Sequence, residues 1–213
     1  QILGNIQFNN VGYKTLSGRD ILKDISFSVK AGETLGIMGA SGSGKTTLIN
    51  LLKRMYDVTE GSITLDGVDI RHLSLGILRK NITCVMQDVF LFSDTILGNI
   101  KLGGKDSIST ESVKEALEKG YDGDFEKKMK EGHDTVIGER GIGLSGGQKQ
   151  RITIARALAR ETPILVLDDS TSALDTETEK EIQETLKELS GMTKIIISHR
   201  ISAVRRADKI IVL

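Results

Sequence analysis

The segment that most constrains the fold covers residues 39–46, Gly-Ala-Ser-Gly-Ser-Gly-Lys-Thr, and matches the pattern G-x-x-x-x-G-K-[ST] at every fixed position. The apolar run at residues 34–38 precedes it and is expected to form a buried strand, while residues 45–55 favour a helix. Glycines let the backbone N–H groups of such a loop turn inward, and the helix N-terminus adds a positive partial charge. The sequence therefore predicts a strand–loop–helix unit that binds phosphate groups.

The same loop assigns roles to two side chains. In a loop of this kind the lysine, here Lys45, reaches the β- and γ-phosphates of a nucleotide, and the hydroxyl, here Thr46, ligates Mg²⁺. We therefore expect ATP and Mg²⁺ as the bound groups. A glycine-rich turn with a chance lysine is the alternative, and the strand and helix on either side disfavour it. The residues expected to contact the nucleotide are Gly39, Ala40, Ser41, Gly42, Ser43, Gly44, Lys45, Thr46 and Thr47.

A magnesium site beside this loop needs a carboxylate, and the apolar run at residues 164–167 ends in one. Asp168 follows the run directly and is the expected Mg²⁺ partner. Asp169 comes next and could orient or deprotonate the attacking water. Two aspartates after a strand ordinarily indicate a solvated turn or a helix cap. Beside the phosphate loop, they indicate a catalytic strand end.

Strands and helices alternate along most of the chain. Residues 164–167 and 194–197 are apolar without interruption, as parallel strands are when helices cover both faces of a sheet. Residues 6–11 and 25–29 show partial alternation, which favours an antiparallel β subdomain at the N-terminal side. We expect an α/β fold: a P-loop ATPase core with a mainly parallel sheet.

Helical patterns are prominent in the second half of the chain. Residues 111–131 and 148–160 carry apolar side chains at helical spacing, and the first stretch is polar enough for a surface subdomain. We expect one domain over residues 1–213, with a helical subdomain at roughly 88–157. Residues 210–213 have a strand pattern, which suggests a domain truncated at its C-terminal end.

Charge and hydropathy limit the classes of partner. Lys and Arg total 29 and Asp and Glu total 29, so the formal net charge of +0 gives no electrostatic reason to expect nucleic acid. No apolar run approaches the roughly 20 residues that cross a bilayer. We expect no transmembrane domain within the chain.

A pentapeptide between the two nucleotide motifs indicates the family. Residues 144–148 read Leu-Ser-Gly-Gly-Gln, and a P-loop protein with this sequence resembles the ATP-binding cassette (ABC) ATPases. The pentapeptide leads into a helix that is expected to start near Gln148, so Ser145, Gly146 and Gly147 would form a second phosphate site at its N-terminus. The resemblance implies that two nucleotide-binding domains, as a homodimer or a heterodimer, pair head to tail with ATP between them.

Other residues match elements of the family in order. The resemblance implies that Tyr13 stacks on adenine, that Gln87 senses Mg²⁺ and water, that Asp175 belongs to the D-loop, and that His199 contacts the γ-phosphate. A lone histidine is more often structural, but the position of His199 completes this series. The implied catalytic residues are Lys45, Gln87, Asp169 and His199, and the implied magnesium ligands are Thr46, Gln87 and Asp168.

Two further segments resemble the exporter type within the family: residues 87–96 with Asn99 and Ile100 close behind, and residues 135–141. In such exporters both segments lie near the intracellular loops of the membrane domain. The resemblance therefore implies a transmembrane partner domain, a place at the cytoplasmic face of a membrane, and ATP hydrolysis that powers export.

One residue departs from the family pattern. Most active members have glutamate after the strand aspartate, and this chain has Asp169, which is one methylene shorter. Members with this substitution often belong to asymmetric pairs with one weak site. An ATP-dependent dimerisation clamp with little hydrolysis is therefore an alternative to an exporter ATPase. A third alternative, a DNA-repair or translation ATPase, is disfavoured by the neutral charge and the absence of coiled coils.

Overall fold

The computed structural model divides the chain by internal contacts into two compact units, each described by itself. The first unit comprises Gln1–Thr83, Thr162–Asp169 and Ser190–Leu213, and the second comprises Cys84–Glu161 and Ser170–Leu189. The structure describes residues 1–86, 88, 90–102, 131–138, 143–169, 176–189 and 191–213.

The described helices and strands follow one another along the chain in the order β1 (Ile6–Lys14), β2 (Asp20–Val29), β3 (Thr34–Met38), α1 (Lys45–Leu52), β4 (Glu60–Leu65), β5 (Val68–Asp69), α2 (Leu75–Lys80), β6 (Ile82–Val85), α3 (Ile96–Lys101), α4 (Gly146–Leu158), β7 (Ile164–Asp168), α5 (Thr176–Glu188), β8 (Thr193–Ile197), α6 (Ile201–Val204) and β9 (Lys209–Val212).

An antiparallel sheet with the strand order β2-β1-β4-β5 forms one layer of the first unit. Phe8 of β1 pairs with Phe27 of β2 on one side and with Ile63 of β4 on the other. The two phenylalanine rings stack with centroids 4.5 Å apart. The predicted antiparallel β region is present, and β1 continues to Lys14, so Tyr13 lies within the sheet.

The second sheet has the order β6-β7-β8-β3-β9, and β7, β8, β3 and β9 run parallel to their neighbours. The four apolar residues of β7 before Asp168 are all buried, as strands covered on both faces must be. The prediction of an α/β fold with a mainly parallel sheet is confirmed. Since parallel strands end at the same edge, the chain that follows β3, β7 and β8 converges there.

Two helix boundaries differ from the predicted ones for local reasons. The helix predicted at residues 45–55 ends at Leu52, and Arg54 adopts a left-handed backbone conformation (φ 51°) that stops the helix. The helix predicted at residues 148–160 begins earlier, at Gly146, because Ser145 caps it.

Several predicted features lie outside the described residues, namely Gln87, Asp175, residues 139–141 and nearly all of the helix predicted at 111–131. None of the helices in the described part of the chain is both long enough and apolar enough to cross a membrane.

Candidate nucleotide site

The loop between β3 and α1 has the backbone form that the motif predicts. The Ser43 N–H donates a hydrogen bond to the Ala40 carbonyl at 3.1 Å. Gly42 (φ 80°) and Gly44 (φ 101°) take positive φ values, and Gly44 occupies the N-cap position of α1. Within the described part of the chain, no side chain caps α1 and no acidic residue lies in its first turn. The first-turn N–H groups are therefore suited to bind an anion.

Close packing leaves no room for a side chain at two of the glycines. A Cβ atom on Gly39 would lie 2.5 Å from the Ser43 Oγ and 2.8 Å from the Leu213 carbonyl oxygen. A Cβ atom on Gly44 would lie 2.7 Å from the Leu22 side chain, at a φ value that L-residues rarely adopt. Side chains at these two positions would displace the loop.

Lys45 is the first residue of α1, and its side chain turns back over the loop. The Nζ donates hydrogen bonds to the carbonyl oxygens of Gly39 and Ala40, both at 2.7 Å. The positively charged Lys45 Nζ therefore lies within the loop, on the side chain that the motif predicts to contact phosphate.

Asp168 ends β7 and is half-buried. Burial raises the pKa of its carboxyl group, the neighbouring Asp169 raises it further, and the charges of Lys45 and Lys53 act in the opposite direction. The electrostatic effect of Lys45 on Asp168 links the strand end to the phosphate loop. A half-buried carboxylate beside a second carboxylate favours a bound cation.

Asp169 and His199 form a side-chain pair at the same sheet edge. The Asp169 Oδ2 lies 3.0 Å from the Nδ1 of His199, and the Ser198 Oγ donates a hydrogen bond to the Asp169 Oδ1 at 3.3 Å. Asp169 has a left-handed φ of 46°, and its N–H donates a hydrogen bond to the Ile197 carbonyl at 2.9 Å. The aspartate side chain is 20% exposed, against 62% for the histidine.

This pairing brings together two residues that the sequence assigned separately, and it adds a third. Ser198 is buried and also accepts a hydrogen bond from the Arg200 N–H at 3.1 Å. Sequence reasoning missed Ser198, and its only signal in the sequence is its position directly before His199.

The oxygen donors at this edge fit a Mg²⁺ ion that is shared with phosphate oxygens and water, rather than a metal ion held by protein side chains alone. Among the described residues, no group of three or more His, Cys, Asp or Glu side chains could hold a metal ion. Mg²⁺ in nucleotide sites commonly takes one or two protein oxygens together with phosphate oxygens and water. The Thr46 hydroxyl and the Asp168 carboxylate supply that kind of oxygen; Gln87, the third predicted ligand, lies outside the described residues.

Tyr13 has an aromatic partner that sequence reasoning did not find. Its ring, on β1, stacks on the ring of Tyr56 with centroids 4.6 Å apart and planes 24° from parallel. Tyr56 follows the end of α1, and both tyrosines are partly exposed.

The pentapeptide of the second unit lies at a helix N-terminus, as its sequence indicates. Ser145 caps α4: its Oγ accepts a hydrogen bond from the Gln148 N–H at 3.1 Å, and the Gln148 Oε1 accepts one from the Ser145 N–H at 2.8 Å. Gly146 and Gly147 lie between these two residues, in the first turn of the helix. This capping box fixes the start of the helix that carries the predicted second phosphate site.

Arg156, near the end of α4, holds the segment around α3 in the second unit. Its Nε donates to the Asn99 carbonyl at 2.8 Å, its Nη2 donates to the Asn99 Oδ1 at 2.8 Å, and its Nη1 donates to the Phe90 carbonyl at 3.0 Å. Asn99 is fully buried and also bonds the backbone of Phe92 and Thr95. Burial lowers the pKa of the Arg156 guanidinium. Sequence reasoning did not single out this residue.

Comparisons with known proteins agree with this geometry. The family model described as "ABC transporter" matches residues 22–172. The chain belongs to the ABC transporter family. It is 47% identical to the ATP-dependent lipid A-core flippase of Escherichia coli K12 and 50% identical to that of Yersinia pestis bv. Antiqua, in both cases over 99% of this chain and 36% of the relative.

A solved structure of an ABC transporter relative matches the fold as well. A bacterial Atm1-family ABC exporter with ATP bound has a TM-score of 0.92 and 44% identity, over 99% of this chain and 37% of that chain. The chain thus spans about a third of the length of the relatives that it matches. Family membership and exporter-type similarity, which the sequence predicted, are confirmed.

Proposed function

We propose that this chain is the nucleotide-binding domain of an exporter, which binds and hydrolyses MgATP. One observation carries the proposal: within a single unit, Lys45, Asp168, Asp169 and His199 follow strands of one parallel sheet at the same edge. The relatives named above, an ATP-dependent flippase and an exporter with ATP bound, support the same substrate.

The roles of the side chains follow from their chemistry. Lys45 and the loop N–H groups bind the phosphates, and Tyr13 stacks on adenine. Thr46, Asp168 and Gln87 hold Mg²⁺, which neutralises phosphate charge when bound. The Asp169 carboxylate orients the attacking water and accepts its proton, while His199 contacts the γ-phosphate.

The site is completed by a second nucleotide-binding domain. Ser145, Gly146, Gly147 and Gln148 of one domain close over the ATP held by the P-loop of the other, with Asp175 at the same interface. The helix N-terminus at Ser145 suits this role, because its partial positive charge favours a phosphate. Residues 1–213 form the nucleotide-binding domain with its helical subdomain. Two such domains, as a homodimer or a heterodimer, close at the cytoplasmic face of a membrane, and this closure drives a transmembrane partner domain.

A second candidate function rests on Asp169. A carboxylate that is one methylene shorter than glutamate holds the attacking water less well, and misplaced catalytic groups act slowly. In that case the chain binds ATP as a dimerisation clamp, hydrolyses it little at its own site, and completes an active site with its Ser145 helix.

The test is ATP turnover by the assembled transporter. Lys45→Ala removes the positive charge at the β- and γ-phosphates, and we expect turnover to fall at least about a hundredfold, the cost of losing one main electrostatic contact to the transition state. Lys80→Ala, at the exposed end of α2, is the matched control and should leave turnover unchanged. Equal turnover by the Lys45 variant and the wild-type protein would refute the assignment of the loop.

A further inference from the structure

The pair formed by Tyr13 and Tyr56 is a built feature of the first unit rather than a chance contact. The two rings lie 4.6 Å apart and within 24° of parallel, which is the offset-stacked range in which aromatic rings attract one another. Tyr56 thus covers one face of Tyr13. Since both rings are partly exposed, the stack also reaches the surface of the unit.

The segment that carries Tyr56 is fixed by several contacts. The Met55 N–H donates a hydrogen bond to the Asn50 carbonyl at 2.9 Å, directly after the left-handed residue Arg54. The Arg54 side chain donates to Asp57 at 2.8 Å and to the carbonyl oxygen of Arg71 at 3.1 Å. The residue before Tyr56 is therefore held through its backbone N–H, and the residue after it is held through its side-chain carboxylate.

The backbone of Tyr13 is held in the same manner from the other side. The Thr59 N–H and hydroxyl both donate hydrogen bonds to the Gly12 carbonyl at 3.0 Å, and the Thr59 Oγ1 accepts one from the Lys14 N–H at 3.1 Å. These bonds lie on both sides of Tyr13 and come from the residue three positions after Tyr56. One short segment thus fixes both the backbone and the ring of Tyr13.

We propose that Tyr56 is a positioning residue for adenine binding: it supports one face of Tyr13 so that the other face receives the base. The proposal rests on the function proposed above, in which Tyr13 stacks on adenine. A ring that is already held in place loses less rotational freedom when a ligand stacks on it, so the support increases affinity for the base. Tyr56 itself need not touch the nucleotide.

The experiment is a titration of the protein with two probes, ATP and inorganic tripolyphosphate, which has no base. Tyr56→Ala should weaken ATP binding by about threefold to tenfold, the range expected for one aromatic pair, and leave tripolyphosphate binding unchanged. Tyr56→Phe keeps the ring and should bind ATP like the wild-type protein. Met55→Ala changes the exposed neighbouring side chain and serves as the matched control.

A double variant separates support of Tyr13 from an independent effect. If Tyr56 acts through Tyr13, the variant with both tyrosines replaced by alanine should bind ATP no more weakly than Tyr13→Ala alone. The proposal is overturned if Tyr56→Ala binds ATP as the wild type does. It is also overturned if that variant binds ATP more tightly, since Tyr56 would then compete with adenine for the ring of Tyr13. Equal weakening toward tripolyphosphate would also overturn it, since that indicates a general structural role. Absence of ATP binding by the wild-type protein would instead refute the proposed function itself.

Discussion

Replacing Asp169 by glutamate tests how far the short carboxylate limits hydrolysis. In the present structure the Asp169 carboxylate is occupied on both oxygens, by the Ser198 hydroxyl at 3.3 Å and by the His199 ring at 3.0 Å. Glutamate is longer by one methylene and moves the carboxylate outward by about 1 Å, a displacement of the size that decides catalytic efficiency.

The magnitude follows from that displacement. A misplacement of about 1 Å costs up to roughly a hundredfold in rate, and the loss of the aspartate contacts to Ser198 and His199 offsets part of the gain. We therefore expect Asp169→Glu to raise ATP turnover by about tenfold, or about 1.4 kcal/mol in activation free energy.

The assay is steady-state ATP turnover of the assembled transporter, measured at saturating ATP so that binding differences do not contribute. Asp20→Glu makes the same chemical change at an exposed position on β2 and should leave turnover unchanged. Turnover that stays constant or falls in the Asp169 variant would show that the missing methylene does not limit hydrolysis.

Two predictions concern stability. Asp66→Asn keeps a side chain that tolerates φ 50° but loses the charge that accepts hydrogen bonds from the N–H groups of Leu3 and Asn5 at 2.6 and 2.8 Å. Burial alone would raise the pKa of Asp66, but the hydrogen bonds from Asn5, Leu3 and Gly4 outweigh burial and lower that pKa. The stabilisation is therefore present at neutral pH and is lost as the pH falls through the folded pKa, which lies below the ordinary carboxyl value of 3.8. In urea unfolding, the free energy of unfolding of Asp66→Asn should be lower than that of the wild type by about 1–2 kcal/mol at pH 7, with a smaller difference in acid. A difference that does not depend on pH would contradict this. Arg156→Ala should lower the free energy of unfolding by about 2–4 kcal/mol and raise amide hydrogen exchange in α3, with Arg156→Lys intermediate; unchanged exchange would contradict it.

Local sequence rules predicted the strand–loop–helix unit around residues 39–46 and the strand end at Asp168. The loop motif requires a strand before it and a helix after it, and β3 and α1 occupy those places. The uninterrupted apolar run before Asp168 identified a strand buried on both faces, because no other common element has that pattern at that length.

The contacts that the sequence did not predict join residues far apart along the chain. Tyr13 and Tyr56 stack only because β1 and the segment after α1 meet in the folded unit, and neither local pattern encodes that meeting. Arg156 and Asn99 likewise pair across 57 positions. The last residue of α1 and the first residue of α4 differ from the predicted ones. A left-handed residue ends α1 and a side-chain cap begins α4, and hydrophobic spacing indicates neither.

Every role proposed above depends on the loop before α1 binding the phosphates of ATP, and equilibrium titration of the protein with MgATP measures that binding. We expect saturable binding by the wild-type protein, a large loss of affinity in Lys45→Ala, and wild-type affinity in Lys80→Ala. Equal affinities in all three proteins, or no binding by the wild type, would contradict it.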